Sequence, residues 1–169
     1  MHSDRTSGPR HVAALTLAAL IGGCASIAPG MAPLGTPIAQ VRQAWVSPTG
    51  EYPLPGGGTR LEFSQGSFGR QTHMLDFDAK GVLVASEQVL TEDNFATIVP
   101  GMASREVRMR LGRPAQVFNV GWQNLQVWNY RYAGGDCVWF QVSIGNADAR
   151  VTETGTGYDP ACDGPEIRE

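Results

Sequence analysis

The chain has 169 residues, of which 42% are hydrophobic and 17% charged, and its formal net charge is -3. This composition is typical of folded soluble domains and excludes a disordered or fibrous chain. Lys80 is the only lysine and no run of basic residues occurs, so the stripe of positive charge that nucleic-acid binding requires is missing and no nucleic-acid partner is predicted.

The first segment reads as an export signal. Arg5 and Arg10 precede an apolar run at residues 12–21, which is too short to span a bilayer. The following Ile21-Gly22-Gly23-Cys24 resembles the bacterial lipobox, in which the cysteine becomes the acylated first residue. We therefore predict a lipoprotein signal peptide at residues 1–23 and lipidation of Cys24. A plain signal peptide with a coincidental cysteine, or a buried apolar helix, is the alternative.

Residues 24–34 contain no charge, two prolines and one glycine, which predicts a short flexible tether. Ala25 stands where an aspartate would retain an enterobacterial lipoprotein at the inner membrane. By resemblance to those sorting rules, the protein is expected at the periplasmic face of the outer membrane.

Residues 35–48 and 101–114 match each other at a constant offset of 66 residues, with Gly, Val, Arg and Pro coinciding at four positions. In the first copy Thr36 can cap a helix and Pro37 suits its first position. The apolar residues at i, i+3 and i+7 then share one helix face: Ile38, Val41 and Trp45.

The second copy predicts a helix with Val107 and Leu111 on its buried face, ending at Gly112. Thr91 looks like the N-cap of a preceding short helix, so a helical pair joined near residues 100–101 is predicted. The arginines of the helix that carries Val107 and Leu111 are predicted to face water: Arg105, Arg108 and Arg110.

Alternating apolar residues predict strands in both halves, at 61–64, 72–77, 82–89, 116–120, 125–132, 137–144 and 149–154. Residues 78–81 are predicted to form a hairpin turn and residues 50–58 a loop. Asp76 and Asp78 are interpreted as strand and turn residues rather than as an acid/base pair.

An aromatic stripe and a cysteine pair fall in the second half. Trp128, Tyr130 and Tyr132 lie at period two and are predicted to form the core beneath a helix; the alternative is a stacking platform that includes Trp139. In an oxidising compartment an even pair of cysteines favours a disulfide, with two free thiols as the alternative. The predicted bond joins Cys137 to Cys162 and pins the tail at residues 155–169.

Several of these residues carry a family resemblance. Ile98-Val99-Pro100-Gly101-Met102, Val107, Leu111-Gly112-Arg113-Pro114, Trp128-Asn129-Tyr130 and Phe140 together resemble the BamE (SmpA/OmlA) family of small outer-membrane lipoproteins. The resemblance covers about residues 90–154 and implies two helices packed on a three- or four-stranded antiparallel sheet. Ala103 departs from the family by replacing the usual threonine cap.

The resemblance and the repeat together predict an α+β fold of two tandem modules, each a helical pair packed on a three- or four-stranded antiparallel sheet. The expected domains are a signal peptide (1–23), a tether (24–34), a diverged BamE-like module (35–90), a BamE-like module (91–154) and a disulfide-pinned tail (155–169). A doubled module also resembles the β-lactamase-inhibitor proteins, which bind an enzyme on the concave sheet surface.

Three functions remain open from the sequence. The first is a non-enzymatic protein-interaction module in outer-membrane protein assembly or envelope integrity, as the resemblance implies; the second is a periplasmic inhibitor of a hydrolase such as a β-lactamase. The third is a hydrolase that uses His73, but no nucleophile-elbow motif occurs near Ser64, Ser67 or Asp76. His2 and His11 lie in the predicted signal, so no metal, cofactor or small-molecule substrate is predicted.

Overall fold

The computed structural model describes residues 32–44 and 47–163. They form two four-stranded antiparallel sheets, with strand orders β1-β2-β3-β4 and β5-β6-β7-β8. The first sheet comprises β1 Gly50–Pro53, β2 Thr59–Ser64, β3 Thr72–Phe77 and β4 Leu83–Gln88. The second comprises β5 Gln116–Val120, β6 Leu125–Tyr130, β7 Val138–Gly145 and β8 Val151–Tyr158. The α-helices are α1 Ile38–Ala44, α2 Glu92–Ala96 and α3 Ser104–Leu111.

The predicted fold class is wrong. The structure is mostly β, with few short helices, and is not a pair of tandem modules with helical pairs packed on sheets. In the described part of the first half, α1 has no second α-helix beside it. In the second half α2 has only five residues. The hydroxyl of Thr91 caps its start by accepting a hydrogen bond from the Asn94 N–H at 3.3 Å, and the chain turns at Pro100 shortly afterwards, so α2 cannot lengthen.

Other local predictions divide into confirmed and wrong. Strands Thr72–Phe77 and Gln116–Val120 have the predicted bounds. Residues 50–58 are not simply a loop, because Gly50–Pro53 pairs with β2 as an edge strand. The residues predicted to begin the C-terminal tail instead continue β8 to Tyr158. Trp45 and Cys24 lie outside the described residues, and the domain division stays a prediction.

The backbone before α1 resembles the backbone before α3. Gly35 and Gly101 both adopt positive φ, at 91° and 87°. The Gly35 N–H donates to the carbonyl of Leu83 and the Gly101 N–H to that of Val151, each at 2.8 Å. The matched glycines therefore occupy equivalent positions, because each lies shortly before a helix and hydrogen-bonds to the first residue of the last strand of a sheet.

Two hydrophobic clusters hold the fold together. In the smaller one, Val41 of α1 packs with Leu61, Phe63, Leu75 and other residues of the first sheet. The larger cluster joins α2 and α3 to the second sheet and also includes Met74 of β3, so the two sheets share a core. It contains most of the apolar residues that carry the family resemblance: Ile98, Met102, Val107, Leu111, Trp128, Tyr130 and Phe140. The residues that carry the resemblance are therefore core residues and do not form a binding surface.

We expect Gly112→Ala to lower the free energy of unfolding by about 3 kcal/mol. Gly112 follows α3 with φ 78° and ψ -159°, a conformation nearly confined to glycine. A Cβ atom there would lie 2.9 Å from Cγ2 of Thr72 and 3.0 Å from the carboxyl carbon of Glu62. Chemical denaturation measures the loss.

Gly101→Ala is the matched control for this substitution. Gly101 also has positive φ, but a Cβ atom there would meet nothing within 4 Å, so we expect a loss of about 1 kcal/mol from backbone strain alone. Equal losses in the two variants would contradict the steric explanation.

Candidate interaction surface

The residues of the hydrolase alternative are not brought together. His73 and Asp76 are three positions apart on β3, so their side chains leave opposite faces of the sheet. Asp76 instead binds Arg60 on β2 through two hydrogen bonds of 2.6 and 2.7 Å. Within residues 32–44 and 47–163 no hydrogen bond joins His73 to a serine or a carboxylate, and burial lowers the His73 pKa. Asp78 accepts the backbone N–H groups of Lys80 and Val82, as predicted for a turn residue.

A buried carboxylate that the sequence did not predict lies at the junction of the two sheets. Glu62 of β2 is fully buried. It accepts hydrogen bonds from the Thr49 hydroxyl at 2.7 Å, the Tyr52 hydroxyl at 2.6 Å and the backbone N–H of Arg113 at 3.1 Å. Burial, together with the neighbouring carboxylate, raises the pKa of Tyr52, so its hydroxyl remains a donor. Since both Glu62 oxygens are occupied, this carboxylate holds β2 against the end of α3 rather than serving as a base.

A second set of contacts joins the β2–β3 loop to the second sheet. Arg131, just after β6, forms a buried ion pair with Asp159, with Nε–Oδ2 and Nη2–Oδ1 distances of 2.5 and 2.8 Å. Its Nη1 donates to the carbonyl of Ser67. The guanidinium group lies 4.6 Å from the ring centre of Trp139 and 5.0 Å from that of Phe68. These contacts fix one end of the second sheet against the first half of the chain.

Asp159 also organises the C-terminal segment. Arg131 is the main cause that holds the pKa of Asp159 at about 2, with smaller contributions from the Ala161 N–H and from the indole N–H of Trp139. That indole N–H lies near the carboxylate without making a hydrogen bond of normal geometry. The predicted disulfide is present beside this pair, with the Cα atoms of Cys137 and Cys162 5.6 Å apart.

The predicted aromatic stripe is core, as expected. Trp128, Tyr130 and Tyr132 are buried in the larger cluster, where Phe95 of α2 stacks on Phe140 with ring centres 4.2 Å apart. Trp139 lies on the other face of the sheet but is only 1% exposed. An inhibitor would need one of these rings on its surface, so burial of Tyr132 and Trp139 removes the anchor that the inhibitor alternative relied on.

The face of the second sheet opposite α2 and α3 is the candidate interaction surface, and we call it the open face. By strand alternation and register its side chains include Phe118, Val127, Asn129, Trp139, Gln141, Ser143 and, on β8, Glu153. Asn129, Trp139 and Ser143 are buried, so the accessible part of the face lies on its β5 side. Phe118 is 41% exposed and its ring stacks at 6.1 Å on that of Trp139. Gln141 donates to Asn129 at 2.7 Å, which satisfies the buried amide at the centre of the face.

The β5–β6 hairpin that forms one side of this face is uncharged. No charged side chain occurs between Arg113 and Arg131. Trp122 at the hairpin tip is 85% exposed, and Val117 and Phe118 on β5 are also exposed. Exposed apolar side chains in an uncharged segment are typical of a surface that binds another protein.

A cavity of about 210 Å³ lies next to this hairpin, at the junction with the first sheet. Its walls are formed by Thr49, Ser64, Ser67, Arg113, Pro114 and Ala115. The Arg113 side chain is exposed and forms no ion pair within the described part of the chain. The cavity therefore offers a cation, a proline and several hydroxyl groups to whatever enters it.

No helix among the residues that the structure describes is long and apolar enough to cross a membrane. No group of three or more His, Cys, Asp or Glu side chains in residues 32–44 and 47–163 is arranged to hold a metal ion.

Comparison with known proteins assigns no family. No protein-family model matches the chain, and no curated protein matches it significantly. The structure is similar to that of a cysteine-rich secretory protein from Staphylococcus aureus subsp. aureus Mu50, with a TM-score of 0.28 and 13% sequence identity; the match covers 73% of this chain and 44% of that chain. The chain thus spans less than half of that protein, and a TM-score this low supports no argument about fold or function.

Proposed function

We propose that this protein is a non-enzymatic outer-membrane lipoprotein that binds another envelope protein, in outer-membrane protein assembly or in envelope integrity. Cys24 would carry the lipid and hold the protein at the periplasmic face. The lipobox-like Ile21-Gly22-Gly23-Cys24 and the resemblance to the BamE family support the location and the class of partner. Stable anchoring requires more than one acyl chain, as bacterial lipoproteins carry.

The open face is the observation that carries the binding role. Glu62, Arg131 and Asp159 are used in structural contacts at the junction, whereas the β5–β6 side of the open face presents Val127 and Phe118 without any charge. A face of this kind is suited to an apolar, hydrogen-bonding protein surface, and it has no constellation for covalent chemistry.

Anchoring is tested by mass spectrometry of the amino-terminal peptide from the protein purified out of membranes. We expect an acylated Cys24 at the new amino terminus. An unmodified cysteine, or cleavage elsewhere, would contradict the lipoprotein proposal.

Binding is tested by affinity purification of the tagged protein from solubilised envelopes, followed by identification of co-purified proteins. We expect a β-barrel assembly component to co-purify with the wild type and to be lost with Val127→Lys, while thermal unfolding shows that the variant remains folded. Val84→Lys on exposed strand β4 is the matched control and should retain the partner. Recovery of no barrel-assembly component with the wild type would reject the proposed class of partner.

A further inference from the structure

We propose that a second copy of this chain binds to edge strand β5. The β5–β8 sheets of the two copies would then join into one continuous eight-stranded sheet. The inference goes beyond the proposed function, since it concerns self-association rather than an envelope partner. It rests on the exposure of β5, on the register that its sequence allows and on the cavity beside it.

Strand β5 differs from the other three sheet edges. Natural edge strands are protected from pairing by charged side chains, prolines or bulges. Edge strand β1 contains Glu51 and Pro53; β4 contains Glu87 and β8 contains Glu153, and the pairing of each of these two with its neighbour has a register shift. Strand β5 has none of these features: it is uncharged, contains no proline and pairs with β6 without a shift.

The outer side of β5 is also accessible. Four of its five residues are exposed and the fifth is partly exposed. Its backbone pairs with β6 on one side only, because β5 is the first strand of its sheet. An exposed strand with one free edge is the template that strand addition uses, and an added strand would take up its unpaired N–H and C=O groups.

The sequence of β5 suits antiparallel pairing with itself. With Phe118 on a two-fold axis, Gln116 faces Val120 of the second copy and Val117 faces its Asn119. The two Phe118 rings then lie opposite each other on the open face, where each already stacks on its own Trp139. No charged side chain of residues 114–123 meets a like charge, because that segment has none.

The same register brings an exposed side chain to the cavity at the junction. The register itself ends at Val120, because Gly121–Gln123 form a single 3-10 turn at the hairpin tip. Antiparallel pairing still brings this tip of the second copy, which carries Trp122, to the end of β5 where Pro114 lines the cavity of about 210 Å³. Trp122 is 85% exposed in the single chain. In the dimer its ring would enter the cavity and stack on the Arg113 guanidinium, which has no ion-pair partner in the described part of the chain. The two-fold axis makes this contact twice.

The test uses two differently tagged copies of the full chain, co-expressed and purified from membranes in mild detergent. We expect wild-type copies to co-purify and to sediment as a dimer. Phe118→Lys places two lysines directly opposite each other on the axis, and Phe118→Glu does the same with two glutamates, so neither variant should co-purify with itself. One copy with Phe118→Lys and one with Phe118→Glu should co-purify again, since opposite charges then face each other. Rescue in the mixture excludes misfolding as the cause of the loss.

Two further variants define the surface. Tyr158→Lys, an exposed substitution on edge strand β8, is the matched control and should leave the dimer intact. Trp122→Ala should raise the dimer dissociation constant by at least about 10-fold, because buried tryptophans dominate such interfaces.

The following outcomes would overturn the proposal. They are a monomeric wild type, a dimer that survives Phe118→Lys, or failure of the oppositely charged pair to reassociate. If the wild type is a monomer and Phe118→Lys abolishes co-purification of an envelope protein, then a strand of that other protein, and not a second copy, binds to β5. The proposed function is tested separately. It fails if no barrel-assembly component co-purifies with the wild type, whatever the oligomeric state.

Discussion

Replacing Glu62 with alanine should lower the free energy of unfolding by about 4 kcal/mol. The substitution removes a fully buried carboxylate and leaves the Thr49 hydroxyl, the Tyr52 hydroxyl and the Arg113 N–H without their acceptor. Each unpaired buried donor costs about 1 to 3 kcal/mol, although Tyr52 lies close enough to solvent to recover part of that cost. Urea denaturation of the two proteins measures the difference.

Two controls separate the hydrogen bonds from the general effect of removing a glutamate. Glu51→Ala on the neighbouring strand removes a half-exposed partner of Arg42, and we expect a loss below about 1 kcal/mol. Glu62→Gln keeps the shape but replaces one acceptor by a donor, so an intermediate loss of about 2 kcal/mol is expected. If Glu62→Ala were no worse than Glu51→Ala, the junction would not depend on this carboxylate.

Period-two alternation made most of the strands predictable. Thr72–Phe77 and Gln116–Val120 carry a clear pattern between turn residues, and the glycine and aspartate positions of the hairpins mark their ends. Strand β1 was missed because Gly50 and Pro53 are residues that usually indicate a loop, and pairing with β2 decides its conformation instead. Local preference could not reveal a pairing between residues 50–53 and 59–62.

The helical pairs were predicted from cap residues and helical spacing as well as from the family resemblance, and neither signal fixes how many helices cover a sheet. Most of the residues that carry the resemblance, such as Ile98, Leu111 and Tyr130, are core residues. A core pattern fixes which side chains are buried together, but it leaves the length and number of covering helices open. Here α2 ends after five residues, while β8 extends to Tyr158, four residues beyond its predicted end.

The residues of the candidate site were harder to predict from the sequence than the strands. Glu62 stands between Leu61 and Phe63, and a charged residue inside an apolar strand is a signal of a buried polar contact or a solvent-facing position. Choosing between them requires the partners, which come from residues 49, 52 and 113. The uncharged segment between Arg113 and Arg131 was visible in the sequence, but only the strand order shows that β5 is an edge.

Asp159→Asn should lower the free energy of unfolding by about 3 kcal/mol near neutral pH, because it leaves the buried Arg131 guanidinium without its negative partner. The carboxylate also accepts the Ala161 N–H that begins the last turn before Cys162. Asp136→Asn is the matched control: Asp136 is almost fully exposed and lies 3.6 Å from Arg70, so its loss should cost less than about 0.5 kcal/mol.

The effect of this substitution should depend on pH. The pKa of Asp159 is lowered from its ordinary value of 3.8 to about 2 in the folded protein. A carboxyl group with a lowered folded-state pKa stabilises the fold fully above its unfolded pKa and loses that contribution as the pH falls through the folded value. The stability difference between wild type and Asp159→Asn should therefore be largest above about pH 4 and shrink towards pH 2. Denaturation curves measured across this interval decide the point, and a difference that stays constant down to pH 2 would show that the ion pair is not what Asp159 contributes.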